Sequence, residues 1–249
     1  MEDKGLSGPG IFWAASRLRK PDQLAWPAFV KWYDTEMIPQ LLGLRSINTV
    51  FRAVAAEPLE RPNLAILATD DLAIFDSDEF KSLPAYTTQL TPQSGGYWDL
   101  IDFEARWYSL IDVFDHAKKP LSETKSFLAV GWDITGDITP EFVDKWWTKD
   151  HCQQLAQLPG FVRTTRFKAQ TSWWSAGNGA SLPCPDFFEI IEYETPDVDT
   201  MSIVEHPDMS DEAHEVMAEI MGACSFEFGT WRVEKAWAGG RDVMFHQQD

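Results

Sequence analysis

The chain has 249 residues, of which 44% are apolar, 24% charged and 13% aromatic, the balance of a folded globular protein rather than a disordered or collagen-like one. Its 39 acidic residues outnumber 21 basic ones, for a formal net charge of -18; such a field repels phosphate backbones and anionic lipid surfaces, which argues against nucleic-acid and membrane partners. No run approaches the roughly 18 apolar residues of a spanning helix, and the N-terminal MEDKGLSGPG has neither an apolar stretch nor a cleavage-like site, so a cytoplasmic location is expected.

Along the chain, Gly10 to Leu18 has strand composition and is broken by Lys20-Pro21-Asp22. A helix is predicted over Trp26 to Leu42, then strands over Ile47 to Val54 and Leu64 to Thr69, separated by a turn between Pro58 and Pro62. Ser77 can cap a short helix reaching Leu83, and a loop with Ser94-Gly95-Gly96 leads to a strand over Arg106 to Val113. After a connector near 117–124, Ser126 to Asp133 is a strand, and Thr139-Pro140-Glu141 supplies an N-cap followed by proline at the first helical position. That helix ends near Pro159-Gly160. Strands follow over Phe161 to Ala169, Phe187 to Tyr193 and Phe226 to Lys235, with a loop from Trp173 to Pro185 and an acid-rich helical region over Val198 to Met221.

The order strand, helix, strand, strand, helix, strand occurs twice, and the helices match residue by residue. One constant shift lays Trp32 on Trp146, Tyr33 on Trp147, Glu36 on Asp150, Leu41 on Leu155, Leu44 on Leu158 and Arg52 on Arg166. A single such unit covers one sheet face with helices and leaves the other face apolar; two units in one chain can close sheet on sheet. The expected architecture is therefore α+β, with repeats at 1–118 and 119–249 forming one compact pseudo-twofold barrel, helices outside and a cavity between the sheets.

The pattern Phe142-x-x-x-Trp146-Trp147-x-x-Asp150-His151, followed by Leu155, Leu158-Pro159-Gly160-Phe161 and an arginine-bearing strand, resembles the dimeric α/β-barrel (ferredoxin-like) superfamily, and within it EthD-type proteins in a tandem, fused form. Phe75-Asp76-Ser77-Asp78-Glu79-Phe80 resembles the entry to the second helix there. The first copy departs at Met37, where the family-like histidine is missing. The resemblance implies two ferredoxin-like βαββαβ repeats. It also implies an activity among cofactor-independent cyclases, isomerases, dehydratases and monooxygenases, alongside haem peroxidases, in secondary metabolism.

The duplicate serves as an internal control. At four-residue spacing, copy one presents Phe29, Tyr33, Met37, Leu41 and Leu44, wholly apolar, whereas copy two presents Val143, Trp147, His151, Leu155 and Leu158. One imidazole interrupts the stripe, in a setting suited to proton transfer near neutral pH. On the strand from Phe187 to Tyr193, alternation places Glu189 and Tyr193 on one face, Glu189 to orient the imidazole and Tyr193 to donate a proton. Arg166, matched by Arg52, is a candidate to hold an oxyanion. Twelve tryptophans exceed an ordinary core's needs; Trp13, Trp107, Trp132, Trp147 and Trp231 are candidate walls for a flat apolar ligand, and Trp173-Trp174 a candidate flap over the barrel mouth. Each has a structural alternative: a satisfied core histidine, ion pairs for Glu189 and Arg166, packing for Tyr193 and the tryptophans.

His116, His206, His214 and His246 lie in polar or acidic surroundings without metal-ligand spacing, and neither nucleotide-binding glycine motifs nor a GxSxG elbow occurs. Cys152, Cys184 and Cys224 form no CxxC pair, so free thiols are expected. No basic cluster suggests a haem-propionate site. The expected activity is that of a cofactor-independent lyase, cyclase, dehydratase or isomerase acting on a hydrophobic aromatic or polyketide-like molecule. The alternatives are a cofactor-independent monooxygenase and a non-catalytic binder. With the barrel completed within one chain, a monomer or weak homodimer is expected.

Overall fold

The computed structural model describes residues 5–84, 90–91, 99–116, 118–175, 183–198 and 210–238. Eight strands close into one antiparallel barrel in the order β1-β3-β2-β8-β5-β7-β6-β4. They are β1 (Gly10–Leu18), β2 (Ile47–Ala55), β3 (Asn63–Thr69), β4 (Ile101–Phe114), β5 (Ser126–Ile134), β6 (Phe161–Trp174), β7 (Phe187–Tyr193) and β8 (Cys224–Ala238). The first four lie together as β4-β1-β3-β2 and the last four as β6-β7-β5-β8, joined through β2 with β8 and β4 with β6. Every described strand has two partners, so none of these eight presents an open sheet edge.

Strand alternation then divides the core. Ile11, Trp13, Phe51, Phe127, Phe167 and Trp231 point into the barrel and pack there. Residues of opposite parity meet the helices: Phe12, Ala14, Ala65 and Leu67 in the first half, Leu128, Val130, Trp132 and Ile191 in the second. Both barrel ends carry buried ions. At one, Arg163 Nε lies 3.2 Å from Glu192 Oε1, and Thr124 Oγ1 donates to Glu192 Oε2 at 2.6 Å. At the other, Arg106 joins Glu104 at 2.5 Å and also pairs with Glu227, while Arg61 Nη1 reaches Glu104 Oε2 at 3.2 Å.

The predicted long helices are each three pieces. The first is α1 (Trp26–Trp32), a π-helical turn (Tyr33–Met37) and α2 (Ile38–Leu42); the second is α4 (Pro140–Trp146), a π-helical turn (Trp147–His151) and α5 (Cys152–Leu155). The wide turns show in their bonding, Ile38 N–H to Tyr33 O and Cys152 N–H to Trp147 O, five residues apart. Thr139 Oγ1 caps α4 by accepting from Phe142 N at 3.2 Å, with Pro140 opening the helix. Ser77 Oγ likewise accepts from Phe80 N at 3.1 Å, capping α3 (Asp78–Lys81), which is shorter than expected. The acid-rich helix is α6 (Asp211–Ala223), capped by Ser210; the earlier part of that segment, with His206, lies outside the described residues, as do His246, Ser94-Gly95-Gly96, Gly177 and Gly179.

Two expectations are corrected. Trp173 and Trp174 end β6 rather than forming a flap: Trp174 is opposite Glu104 on β4 and its Nε1 donates to Asp102 Oδ1 at 2.8 Å. The apolar cavity that His151 lines is not between the sheets: the barrel interior holds Phe51, Phe127 and Phe167 and, at one end, a polar cavity of about 340 Å³, while the apolar one lies outside the barrel, between the second-half sheet and its helices.

Candidate active site

The site's floor is a patch of sheet set by register. Across β7, β5 and β8, one row reads Phe187, Trp132, Phe226; the next Glu189, Val130, Phe228; the next Ile191, Leu128, Thr230. Val143 and Trp146 of α4, His151, and Met217, Ile220 and Met221 of α6 wall a cavity of about 380 Å³ over this floor, and Glu57 reaches in from the connection between β2 and β3. Exposed Phe228 and Met221 rim it.

His151 is 5% exposed and Glu189 4% exposed, with Nε2 of the ring 3.4 Å from Glu189 Oε2. The π turn decides what else the ring touches. In a regular α-helix His151 shares a face with Trp147, four residues back; the extra residue in the turn seats the imidazole on Trp146 instead, ring centroids 4.4 Å apart and planes 26° apart. Trp147 turns to the carboxylate, donating from Nε1 to Glu189 Oε1 at 2.8 Å, and Thr164 Oγ1 donates to the same oxygen at 2.6 Å. Burial alone would raise the Glu189 carboxyl pKa; the charge and hydrogen bond of His151, with the Thr164 and Trp147 bonds, outweigh it and hold the carboxyl below its usual value. With Nε2–H directed at Glu189, the lone pair of a neutral ring is at Nδ1, for which no described side chain supplies a hydrogen bond. The pair is thus a carboxylate-oriented imidazole on an apolar wall, able to accept a proton from a bound molecule.

The other sequence-derived candidates are dispersed. Tyr193 is buried at the far end of β7, about 13 Å along the strand from Glu189, and does not line the cavity. Arg166 lies behind the site, its Nη1 2.7 Å from Asp144 Oδ1 and its guanidinium 4.7 Å from the centre of the Trp147 ring. Arg52 is tied to its own helix in the same way, Nε to Asp34 Oδ1 at 3.0 Å. Of the tryptophans, Trp132 lines the cavity and Trp147 braces Glu189 from behind. Trp13 and Trp231 lie inside the barrel, 5.5 Å apart and nearly perpendicular, beside a separate polar cavity of about 340 Å³ near Arg61 and Arg106. Trp107 packs on Phe12 in the first half at 5.0 Å. Sequence reasoning missed Trp146, because four-residue spacing conceals the π turn, and Glu57, which sits in an exposed proline-containing turn.

His116 stacks on Phe114 and His214 is exposed. All three cysteines are free thiols, and burial pushes the Cys184 thiol up, with the Arg106 charge opposing it. Among the described lining residues there is no lysine or arginine, so this cavity has nothing to pair with haem propionates and does not fit that cofactor. Among the described residues, no helix is long and apolar enough to cross a membrane.

No protein-family model and no curated protein sequence matches the chain. Solved structures do match in fold. An anthrone oxidase-like protein superposes with a TM-score of 0.56 at 9% identity, over 98% of each chain. A "putative monooxygenase from Lactobacillus acidophilus NCFM" gives 0.53 at 10% identity, over 94% of this chain and 97% of that one. A chlorite dismutase from Candidatus Nitrospira defluvii gives 0.50 at 10% identity, over 90% and 91%. The shared property is the fold, a mixed α+β antiparallel barrel.

Proposed function

We propose that the chain is a tandem pair of ferredoxin-like βαββαβ repeats, 1–118 and 119–249, and a cofactor-independent acid/base enzyme whose second repeat binds a flat, apolar small molecule and removes a proton from it. The carrying observation is the His151–Glu189 pair set into an otherwise apolar cavity wall. His151 Nδ1 takes the proton, Glu189 orients the ring and stabilises the imidazolium, and Trp146 and Trp132 offer aromatic surface to a ring system. The substrate is a carbon acid of aromatic or polyketide type. On this apolar floor the resulting carbanion has two fates: elimination, cyclisation or isomerisation, in which His151 returns the proton, or reaction with oxygen.

The names of two fold relatives, anthrone oxidase-like and monooxygenase, favour keeping the oxygen branch. For a diaryl methylene it balances without another reductant. The carbon loses two hydrogens and gains one oxygen atom, its electrons reduce oxygen, and the second oxygen atom leaves as water. A closed barrel that needs no second chain supports a monomer or a weak homodimer.

The test is conversion of a panel of anthrone-type and other aromatic carbon acids, under air and under argon, by the natural protein and by His151→Met. Conversion that falls at least a hundredfold in the variant, with ligand affinity kept within a few-fold, supports the assignment. Oxygen uptake coupled to conversion selects the oxygenase branch. Binding without conversion of any compound selects a non-catalytic binder, and conversion unaffected by the variant removes His151 from the chemistry.

A further inference from the structure

Glu57 is the one described lining residue of the His151 cavity contributed by the first half of the chain. Its carboxylate accepts from Thr230 N at 2.9 Å through Oε1 and from Thr230 Oγ1 at 2.6 Å through Oε2, while Ala56 N donates to Thr230 O at 2.9 Å. Both oxygens are aimed by β8 and each retains a lone pair. By register, Thr230 and Glu189 stand at diagonal corners of the floor, two strands and one row apart, about 12 Å between backbones. Between those corners the floor is Val130, Leu128, Ile191 and Phe228, wholly apolar. The cavity therefore has two polar ends: a carboxylate-backed imidazole at one and an anchored carboxylate at the other.

The geometry points to Glu57 as the specificity-determining acceptor for a hydroxyl or amine hydrogen at the end of the substrate remote from His151. This rests on the small-molecule reading of the cavity. It narrows the substrate class to flat molecules of about three fused rings with a hydrogen-bond donor at one end and the carbon acid at the other. A carboxylate there rejects anionic and acceptor-only groups, because either would face a charge it cannot hydrogen-bond. It also assigns the first half a function, since that half has no His–Glu pair of its own.

Equilibrium dialysis at pH 7 with 2-hydroxyfluorene and 2-methoxyfluorene, flat three-ring probes differing in one donor hydrogen, tests this. The natural protein is expected to bind the hydroxyl compound about tenfold more tightly, the scale of one hydrogen bond to a charged acceptor. Glu57→Ala should abolish that preference, weakening 2-hydroxyfluorene and relieving the rejection of 2-methoxyfluorene. Thr230→Val separates a structural latch from ligand recognition: it should lower the melting temperature yet keep the preference. A preference that survives Glu57→Ala, or equal binding of both probes by the natural protein, overturns the role of Glu57 and leaves the cavity reading standing. Failure of both probes to bind overturns the cavity reading and the role of Glu57 with it.

Discussion

The layers between helix and sheet in the two halves are filled differently. In the first half, the space beneath Trp26, Phe29 and Tyr33 shrinks to a void of about 20 Å³, whereas the second half keeps about 380 Å³ open. The ladders identify the corresponding positions: Arg52 faces Ala65 on β3 as Arg166 faces Glu189 on β7. Where the second half has Glu189 and His151, the first has Ala65 and Met37, both buried, and the arginine, its carboxylate tether and the π turn are present in both. The comparison separates scaffold from chemistry. What both halves share holds helix to sheet, and what only the second half has can move a proton.

Breaking the pair should have the largest effect. His151→Met leaves Glu189 buried beside Trp147 and Thr164 without its imidazole partner and should cost about 3 kcal/mol in urea unfolding along with turnover. Adding Glu189→Ala, which recreates the first-half pair, should recover much of that stability and none of the activity. In the reverse direction, Met37→His puts an unpaired imidazole into a site 1% exposed and should destabilise by about 2 kcal/mol without creating a second active site. Asp144→Ala should cost about 1–2 kcal/mol in the same assay. Asp144 is half exposed, and the Trp147 ring still shelters the guanidinium. Thr139→Ala, the loss of one helix cap, should cost about 1 kcal/mol.

The pair also sets an acid limb. Because the folded Glu189 carboxyl lies below its ordinary value of 4.5, its contribution is fully present above that pH and is lost as pH falls through the lower folded value. Stability measured against pH should therefore fall in this window, and the fall should be shallower in Glu189→Gln. An unchanged acid limb in that variant would show that the carboxyl is not held down in the folded protein.

Much of the barrel was legible in the sequence because burial imposes period two on strands; β1 and β7 have the predicted ends, and β5 differs by one residue. Trp173 and Trp174 were misplaced because the glycine-bearing stretch beyond them suggested a loop, whereas Trp174 continues the strand by bonding Asp102. The meeting of His151 and Glu189 was legible from one unmatched imidazole and one carboxylate inside an apolar strand. Their location was not. Alternation shows that two residues share a face but not whether that face looks into the barrel or towards a helix, and so Tyr193, on the correct face, stands too far along the strand to join them. Glu57 had no local signal, since its position depends on a ladder between strands far apart in sequence.

The most direct measurement is a crystal structure of the protein with 2-hydroxyfluorene bound. The ligand is expected on the outer face of β5, β7 and β8, one end against His151 and its hydroxyl within hydrogen-bond distance of Glu57. A ligand found inside the barrel beside Trp13 and Trp231, or one lying away from His151, would contradict the account.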